Sequence, residues 1–292
     1  MGLDLSIIIV NYNTADLLNQ CLLSLDQDKG ALFELIVVDN ASKDHSDRVI
    51  NEWGPRIKVI ANDVNVGFGC ANNQGIRISQ GRYLFFLNPD TEVQPGAFLA
   101  MLDFMDAHPD IGLAGTKIFE SDGTVQPSVE YVYPGQHYDT FDYRQLKGEI
   151  AWVSGASMIA RKEAVEKLEG FDERFFLYAE EIDLCLRIRQ AGWALGYIPD
   201  ATIVHKGGGS SSGLSTKDVW RMKLSSERIF YQKHYSEIAQ RRIRRANILQ
   251  ALWRLLSLAP VVPFVSNNAP ARKKWAKYRS TLEIYGPAVK RQ

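Results

Sequence analysis

Cysteine is scarce in the 292-residue sequence, and its charges balance. The three cysteines, Cys21, Cys70 and Cys185, lie far apart and form no CxxC or Cys/His zinc spacing, which excludes a disulfide scaffold and a zinc module. Lys and Arg number 34, as do Asp and Glu, so net charge singles out no class of partner. We therefore expect free, buried thiols in a reducing compartment.

The sequence also lacks a targeting segment and a long apolar run. No charged segment followed by an apolar run and a cleavage site opens the chain, and Leu5–Val10 is too short for a signal peptide. The apolar stretch Ile248–Leu258 is interrupted by Arg254, and a bilayer-spanning helix needs about 20 largely apolar residues. These features predict a cytoplasmic protein.

Two common phosphate-binding loops are missing as well. The turn after the first apolar run reads Asn11-Tyr12-Asn13-Thr14 where a dehydrogenase would have GxGxxG, and no Walker-type loop occurs. A bound nucleotide diphosphate would therefore need another counter-charge, most simply a divalent metal ion.

The first 120 residues alternate between strand and helix patterns. Apolar runs predict strands at Leu5–Val10, Leu35–Val38, Ile57–Ala61 and Tyr83–Leu87. Spacings of 3.6 residues predict helices after Thr14, a candidate N-cap, and at Ser46–Trp53, Gly67–Gln80 and Pro95–His108. This order indicates an α/β fold with a mostly parallel central sheet and helices on both faces.

Beyond residue 120 the pattern becomes irregular. We predict a strand at Trp152–Ala160, a helix at Glu180–Ala191, short strands at Ala194–Ile198 and Thr202–His205, and a Gly/Ser loop at Gly207–Gly213. The predicted domains are a catalytic domain at 1–215, with a nucleotide-binding half at about 1–120 and an acceptor half at about 121–215, and a helical C-terminal region at 216–292.

Polar clusters follow the predicted strands at Asn11–Thr14, Asp39-Asn40, Asn62–Asn65 and Asn88–Asp90. Ligands of such sheets bind beyond the carboxyl ends of the strands, so the clusters should face one crevice. Asp90 could hold Mg²⁺ or Mn²⁺, or could open a turn or cap a helix. Asp39 could accept hydrogen bonds from a nucleoside, or could form an Asx turn.

Three acids, Glu180, Glu181 and Asp183, open one predicted helix. They could simply favour the helix N-terminus, and Asp183 could pair with Arg187 one turn later. Alternatively, one of them could be a general base, which typically contributes roughly 10²–10⁴-fold to a rate. His205 could ligate a metal or be an ordinary polar residue.

These motifs in this order resemble the inverting GT-A glycosyltransferases of family 2, and among them the bacterial rhamnosyltransferase-like group. The resemblance covers about residues 4–215. Its segments are Ser6–Thr14, Val38–Ser42, Asn65–Gly75, Phe86–Thr91, Ser154–Ala156, Gly170–Phe176, Glu180–Arg187 and His205–Ser210.

The resemblance implies a role for each candidate residue. Tyr12 and Asp39 would hold the nucleoside, and Asp90 and His205 would bind Mg²⁺ or Mn²⁺. Glu181 would be the catalytic base, with Asp183 the next candidate and Glu180 beside them. The donor site as a whole would comprise Asn11, Tyr12, Asp39, Asn65, Asn73, Asn88, Asp90, Ser154, Gly155 and Ala156. Asn88 replaces the first acid of the family's metal-binding motif.

The implied reaction is direct displacement with inversion, in bacterial cell-surface polysaccharide synthesis. The donor would be dTDP-L-rhamnose or a UDP-sugar, and the acceptor a glycan or lipid-linked saccharide. A catalytically silent sugar-nucleotide-binding or scaffold subunit is the alternative, whereas a nucleotidyltransferase would need a phosphate loop that is lacking.

The C-terminal region is strongly basic. Residues 241–292 contain twelve Arg and Lys and one acid, Glu283. A basic amphipathic helix at 241–258 could lie on an anionic membrane, placing the protein on the inner face of the cell membrane. It could equally pack on the catalytic domain or on another subunit, as in a homodimer. We do not expect nucleic-acid binding.

Overall fold

The computed structural model describes residues 2–207, 214–264, 266 and 269–286. Its strands are β1 (Leu5–Asn11), β2 (Phe33–Asp39), β3 (Ile57–Ala61), β4 (Tyr83–Leu87), β5 (Thr91–Val93), β6 (Ile111–Glu120), β7 (Val125–Gln126), β8 (Val129–Glu130), β9 (Trp152–Val153), β10 (Ser157–Arg161) and β11 (Ala194–His205). Its α-helices are α1 (Ala15–Gln27), α2 (Ser46–Trp53), α3 (Phe68–Ile78), α4 (Ala97–Ala107), α5 (Lys162–Glu166), α6 (Glu180–Gln190), α7 (Thr216–His234), α8 (Glu237–Leu258) and α9 (Pro270–Tyr285). Residues 208–213 of the predicted Gly/Ser loop lie outside the described residues.

The chain forms two compact units. The first comprises Met1–Tyr133, Tyr143–Phe176 and Glu180–Ser212, and the second comprises Pro134–Asp142, Leu177–Ala179 and Gly213–Gln292. The second unit therefore includes two short segments from the region that the sequence assigns to the catalytic domain. The functional boundary at residue 215 stays a prediction.

A mixed sheet organises the first unit, with the strand order β3-β2-β1-β4-β10-β6-β11-β5 and β7 beside β6. The half containing β3, β2, β1 and β4 is parallel throughout. Strand β10 runs antiparallel to both of its neighbours, β11 is parallel to β6, and β5 is antiparallel to β11. The predicted α/β class is confirmed, with antiparallel pairings added in the second half.

Alternating side chains of the buried strands supply two apolar layers. Ile7 and Ile9 belong to a core that includes buried residues of α1, α2 and α4. Ile8 and Val10 belong to a second core with buried residues of α3, α5 and α6. Burying each such side chain stabilises the fold by roughly 1.5–3 kcal/mol. Helices thus cover both faces of the sheet, as the sequence predicts.

Thr14 occupies the N-cap position of α1, as predicted, but its side chain does not cap the helix. The Thr14 hydroxyl donates to Asn11 Oδ1 at 2.7 Å and makes no side-chain capping bond. The Asp44 carboxylate accepts the hydrogen bond from the Ala15 amide at 3.0 Å instead. An acid distant in sequence therefore stabilises this helix N-terminus.

Three predicted boundaries also change. The strand at Trp152–Ala160 is two strands, β9 and β10, separated by Ser154–Ala156. The two short strands predicted within 194–205 form one strand, β11, whose register with β6 shifts between Ile198 and Thr202. Helix α4 begins at Ala97, because Gly96 before it has a left-handed φ of 84°.

The three cysteines are free, as predicted, but Cys70 is only partly buried, whereas burial raises the pKa of Cys21 and of Cys185 to about 12. In the second unit, α9 packs against α7 and α8, and Phe230, Ile243 and Tyr278 are buried. Within the described ranges, every helix is too short or too polar to cross a bilayer.

Candidate active site

The sheet register brings the predicted site residues to one edge. Strands β1, β2 and β4 are parallel and end at Asn11, Asp39 and Leu87. Strand β10 begins at this same edge, because Ser157 lies opposite Leu87 in the antiparallel ladder. At the end of β11, His205 lies opposite Thr91, the residue after Asp90. The crevice expected from the polar strand ends is therefore present as one edge of the sheet.

Two partly buried hydrogen bonds fix the carboxylate of Asp39. The Asn11 side-chain amide donates to Asp39 Oδ1 at 2.8 Å, and the Ser42 amide donates to Asp39 Oδ2 at 3.1 Å. The second bond is the Asx turn that the sequence left open. Tyr12, half-buried, comes directly after the fully buried Asn11. The arrangement holds Asp39 in place at the strand end.

The asparagines of the next loop bind one another. Asn65 Oδ1 accepts hydrogen bonds from the Asn40 side chain at 2.8 Å and from the Gly67 amide at 3.0 Å. Asn40 Oδ1 in turn accepts from the Asn62 side chain at 3.2 Å. The polar atoms of Asn65 thereby shape the turn that leads into α3.

Asn73 is also engaged within the protein. Its side chain donates to the Phe171 carbonyl at 2.8 Å and accepts from the Phe171 amide at 2.8 Å. These two bonds satisfy both ends of a buried amide, and they tie α3 to the segment before α6. The geometry therefore supports a structural role for Asn73 alongside the predicted donor contact.

Asp90 and His205 form an enclosed polar pair at this edge. The Asp90 side chain is 3% exposed, and its Oδ1 lies 3.3 Å from His205 Nε2. His205 Nδ1 lies 2.9 Å from Gln126 Oε1, and the Lys206 amide donates to the Asp90 carbonyl at 2.9 Å. Ladder and side-chain contacts together hold the two predicted metal ligands side by side.

The turn between β9 and β10 lies against the acidic helix. A Cβ added to Gly155 would lie 3.5 Å from Glu181 Cβ and 3.9 Å from its carboxyl carbon. The Asn88 amide donates to the Ala156 carbonyl at 3.0 Å, and the Ala156 amide donates to Ser154 Oγ at 3.4 Å. This turn therefore connects the end of β4 with the start of α6.

The three acids of α6 have different surroundings. Asp183 is fully buried and accepts from Arg187 Nε at 2.7 Å, while Arg187 also donates to the Leu168 and Gly170 carbonyls. Glu180 is buried, and burial, with a smaller contribution from Glu181, raises its pKa well above the ordinary value. Asp183 thus forms the ion pair that the sequence allowed, and Glu180 favours its neutral form.

A sequence-family model described as Glycosyl transferase family 2 matches residues 6–169, more than half of the chain. The chain belongs to glycosyltransferase family 2. The predicted family is therefore confirmed, and this family 2 protein is a glycosyltransferase.

Curated relatives of this family 2 glycosyltransferase include rhamnosyltransferases. N-acetylglucosaminyl-diphospho-decaprenol L-rhamnosyltransferase of Mycobacterium tuberculosis is 28% identical over 231 residues, which is 69% of this chain and 75% of the relative. Rhamnosyltransferase WbbL of Escherichia coli K12 is 24% identical over 262 residues, covering 80% of this chain and 97% of the relative. The chain is thus similar to the rhamnosyltransferase-like group, as predicted.

Solved structures confirm the GT-A fold of this glycosyltransferase. The mannosyltransferase PcManGT of Pyrobaculum calidifontis, in complex with GDP-Man and Mn²⁺, has a TM-score of 0.62 at 15% identity, covering 97% of this chain and 86% of that chain. Residues 1–349 of S. aureus TarS, in complex with UDP-GlcNAc, have a TM-score of 0.57 at 17% identity, covering 81% of this chain and 69% of that chain.

The sequence did not reveal the contacts of Gln126 and Asn40. Gln126 ends the short strand β7, and its contact with His205 arises only because β7 pairs with β6, next to β11. Asn40 was noted only as part of a polar turn. Among the described residues, no group of three or more His, Cys, Asp or Glu is arranged to hold a metal ion.

Proposed function

We propose that this glycosyltransferase moves L-rhamnose from dTDP-L-rhamnose to a hydroxyl of a glycan or lipid-linked glycan, with inversion, in bacterial cell-surface polysaccharide synthesis. The names of the relatives from M. tuberculosis and E. coli support the sugar. One observation carries the catalytic proposal: the turn at Gly155 brings Glu181 to the edge of the sheet that holds Asp90 and His205. A UDP-sugar is the alternative donor.

The pair of Asp90 and His205 fits a divalent cation such as Mg²⁺ or Mn²⁺. If His205 Nδ1 donates to Gln126 Oε1, its Nε2 directs a lone pair toward the carboxylate of Asp90. Two acceptors at this distance attract a positive charge between them, and two protein ligands leave room for phosphate oxygens. When bound there, the cation would offset the charge of the departing nucleotide diphosphate.

Glu181 is the acid that we assign as the base. Asp183 forms an ion pair with Arg187, and Glu180 is buried, which raises its pKa. Glu181 lies next to the turn that we assign to the sugar-phosphate site. It would take the proton from the acceptor hydroxyl as the oxygen attacks the anomeric carbon from the face opposite the leaving group, which inverts that carbon.

The remaining donor contacts follow the strand ends. Asp39, fixed by Asn11 and Ser42, would accept hydrogen bonds from the nucleoside, with Tyr12 beside it. Ser154, Gly155 and Ala156 would line the sugar-phosphate site, and Asn88 would support them through its bond to Ala156. We place the reaction at the cytoplasmic side, in keeping with the free cysteines.

Donor screening with two matched variants tests the proposal. Transfer or donor hydrolysis is measured with dTDP-rhamnose and UDP-sugars in Mg²⁺ or Mn²⁺, for the parent, Glu181→Gln and Glu163→Gln. Glu163 is an exposed acid of α5, so its variant should keep the parent rate. Glu181→Gln should lose roughly 10²–10⁴-fold in rate with little change in donor affinity.

The same screen separates the alternative from the proposal. A catalytically silent subunit would bind the nucleotide sugar without turnover in any variant. Equal rates for the parent and Glu181→Gln would refute the assignment of Glu181 as the base. A preference for a UDP-sugar would refute dTDP-L-rhamnose as the donor.

A further inference from the structure

Helix α8 exposes an apolar face to solvent. At 100° per residue, seven of its side chains share one face about 100° wide. They are Ile238, Arg242, Arg245, Leu249, Leu252, Trp253 and Leu256, and all seven are exposed. We call this set the outer face of α8. The buried residues Ala239, Ile243 and Ala251 lie on other sides of the helix, so the outer face belongs to no core of the described chain.

The apolar side chains of the outer face are between 46% and 76% exposed. Leu249 is 67% exposed and Leu256 is 76% exposed. Just beyond the helix, Phe264 is 87% exposed, and Val261 is exposed as well. Single exposed apolar residues are common on proteins, but a contiguous row ending in an exposed Phe marks a surface that another apolar phase covers.

Basic residues dominate the other end of the outer face. Arg242 and Arg245 lie between Ile238 and the leucines, and within the described ranges no acid pairs with either of them. By contrast, Arg241 pairs with Glu237, and Arg244 donates to the Tyr285 carbonyl at 2.7 Å. The unpaired guanidinium groups therefore sit beside the apolar row, where an anionic partner could reach them.

We propose that the outer face of α8 lies on an anionic lipid bilayer, with Leu249, Leu256 and Phe264 in the acyl boundary. Arg242 and Arg245 then remain at the level of the phosphates. A side chain with a long apolar stem and a charged end suits that depth, and each basic residue near an anionic surface adds about 1 kcal/mol of attraction. This inference rests on the proposed function only in that a lipid-linked acceptor gives the contact a purpose.

Charge favours a lipid surface over a second copy of the chain. A two-fold contact of this face with itself would offer the arginines of 241–245 little counter-charge, because Glu237 is the one acid in α8. Anionic phospholipids supply the missing counter-charge together with an apolar layer. A bilayer therefore satisfies both halves of the outer face at once.

Vesicle sedimentation of the full-length protein tests the inference. The vesicles are phosphatidylcholine alone or with about one third phosphatidylglycerol. The proteins are the parent, Leu249→Ser/Leu256→Ser, Arg242→Gln/Arg245→Gln, and the control Leu23→Ser, an exposed leucine of α1. We expect the parent and the control to bind the anionic vesicles. The double leucine variant should bind them at least about tenfold more weakly. The double arginine variant should lose its preference for anionic lipid.

Each other outcome overturns the inference. Equal sedimentation of the parent and the leucine variant would show that the outer face is not the contact. If the parent ignores both vesicles but is a dimer that Leu249→Ser/Leu256→Ser makes monomeric, the face binds a second copy. Vesicle binding requires no sugar transfer, so a parent that binds lipid without turnover would refute the proposed function and leave this inference standing.

Discussion

Three adjacent acids in α6 illustrate how surroundings assign different roles to similar residues. Asp183 is neutralised by Arg187, and Glu180 is buried at the start of the helix with a raised pKa. A proton held on Glu180 removes a negative charge next to Glu181, which lies beside Gly155. Residue type and spacing alone cannot separate these roles, because burial and partners are properties of the folded chain.

Glu180 should make stability depend on pH. Its folded pKa lies above its unfolded pKa because burial disfavours the charged form. The folded state therefore holds this proton more tightly, and the associated stability is lost as pH rises through the folded pKa. Glu180→Gln removes the titration, so the stability of the variant relative to the parent should increase from acid to alkaline pH.

Thermal unfolding between acid and alkaline pH measures this difference. The exposed Glu163→Gln variant serves as the control and should follow the parent throughout. A constant offset between Glu180→Gln and the parent at every pH would contradict the assignment.

Gln126 should control cation affinity through His205. Its side-chain oxygen lies 2.9 Å from Nδ1 and would fix the ring so that Nε2 faces Asp90. Gln126→Ala should lower Mn²⁺ affinity roughly 10–100-fold, measured by calorimetry in the presence of dTDP. Gln126→Glu retains an acceptor oxygen and should restore most of the affinity. Unchanged Mn²⁺ affinity in Gln126→Ala would show that Gln126 does not position His205.

At the scale of elements, the start of α3 depends on one glycine. Gly67 has a φ of 88°, and a Cβ there would lie 2.6 Å from the Phe176 carbonyl oxygen. The Phe68 amide donates to that same oxygen at 2.8 Å. The close approach of the two backbones therefore requires a residue without a side chain.

Gly67→Ala should destabilise the protein by roughly 2–4 kcal/mol, from strain and overpacking together. Gly54 provides the matched control, because its φ is also positive at 49° but a Cβ there would meet nothing within 4 Å. Gly54→Ala should cost only the conformational strain, about 1–2 kcal/mol. Denaturant unfolding of both variants measures the difference, and equal losses would show that the contact with Phe176 is unimportant.

The elements that the sequence predicts well are those with a local signature. The continuous apolar runs of β1 and β4 and the acid-rich start of α6 appear at or near their predicted bounds. The break at Ser154–Ala156 was missed, although the Ser-Gly-Ala-Ser stretch between the two strands is itself a turn signal. The antiparallel direction of β10 was also not apparent, since strand direction depends on partners that are distant in sequence.

The same distinction applies to the candidate site. Asp39, Asp90, Glu181 and His205 stand out in motifs, and the structure places them around one sheet edge. The Asp44 cap of α1 and the Gln126 contact depend on long-range packing, and no local pattern indicates them. Motifs thus indicate which side chains are available, whereas the register of the sheet determines which of them meet.

For the molecule as a whole, nucleotide and cation should stabilise the fold together. Ligand at 100 times its dissociation constant adds about 2.7 kcal/mol, which raises the melting temperature of a chain of this size by roughly 4 °C. We expect dTDP with Mn²⁺ to give such an increase, and EDTA to abolish most of it. For Asp90→Asn, dTDP should raise the melting temperature by the same amount with and without Mn²⁺. An equal increase for the parent in EDTA would contradict the cation site.

The pairing of Thr91 with His205 joins the middle of the first unit to the last strand of its sheet. During synthesis on the ribosome, β11 is the last of the described strands to emerge. Asp90 therefore lacks its contact with His205 until β11 has joined the sheet. A nascent chain that ends before β11 therefore cannot form the contact between Asp90 and His205.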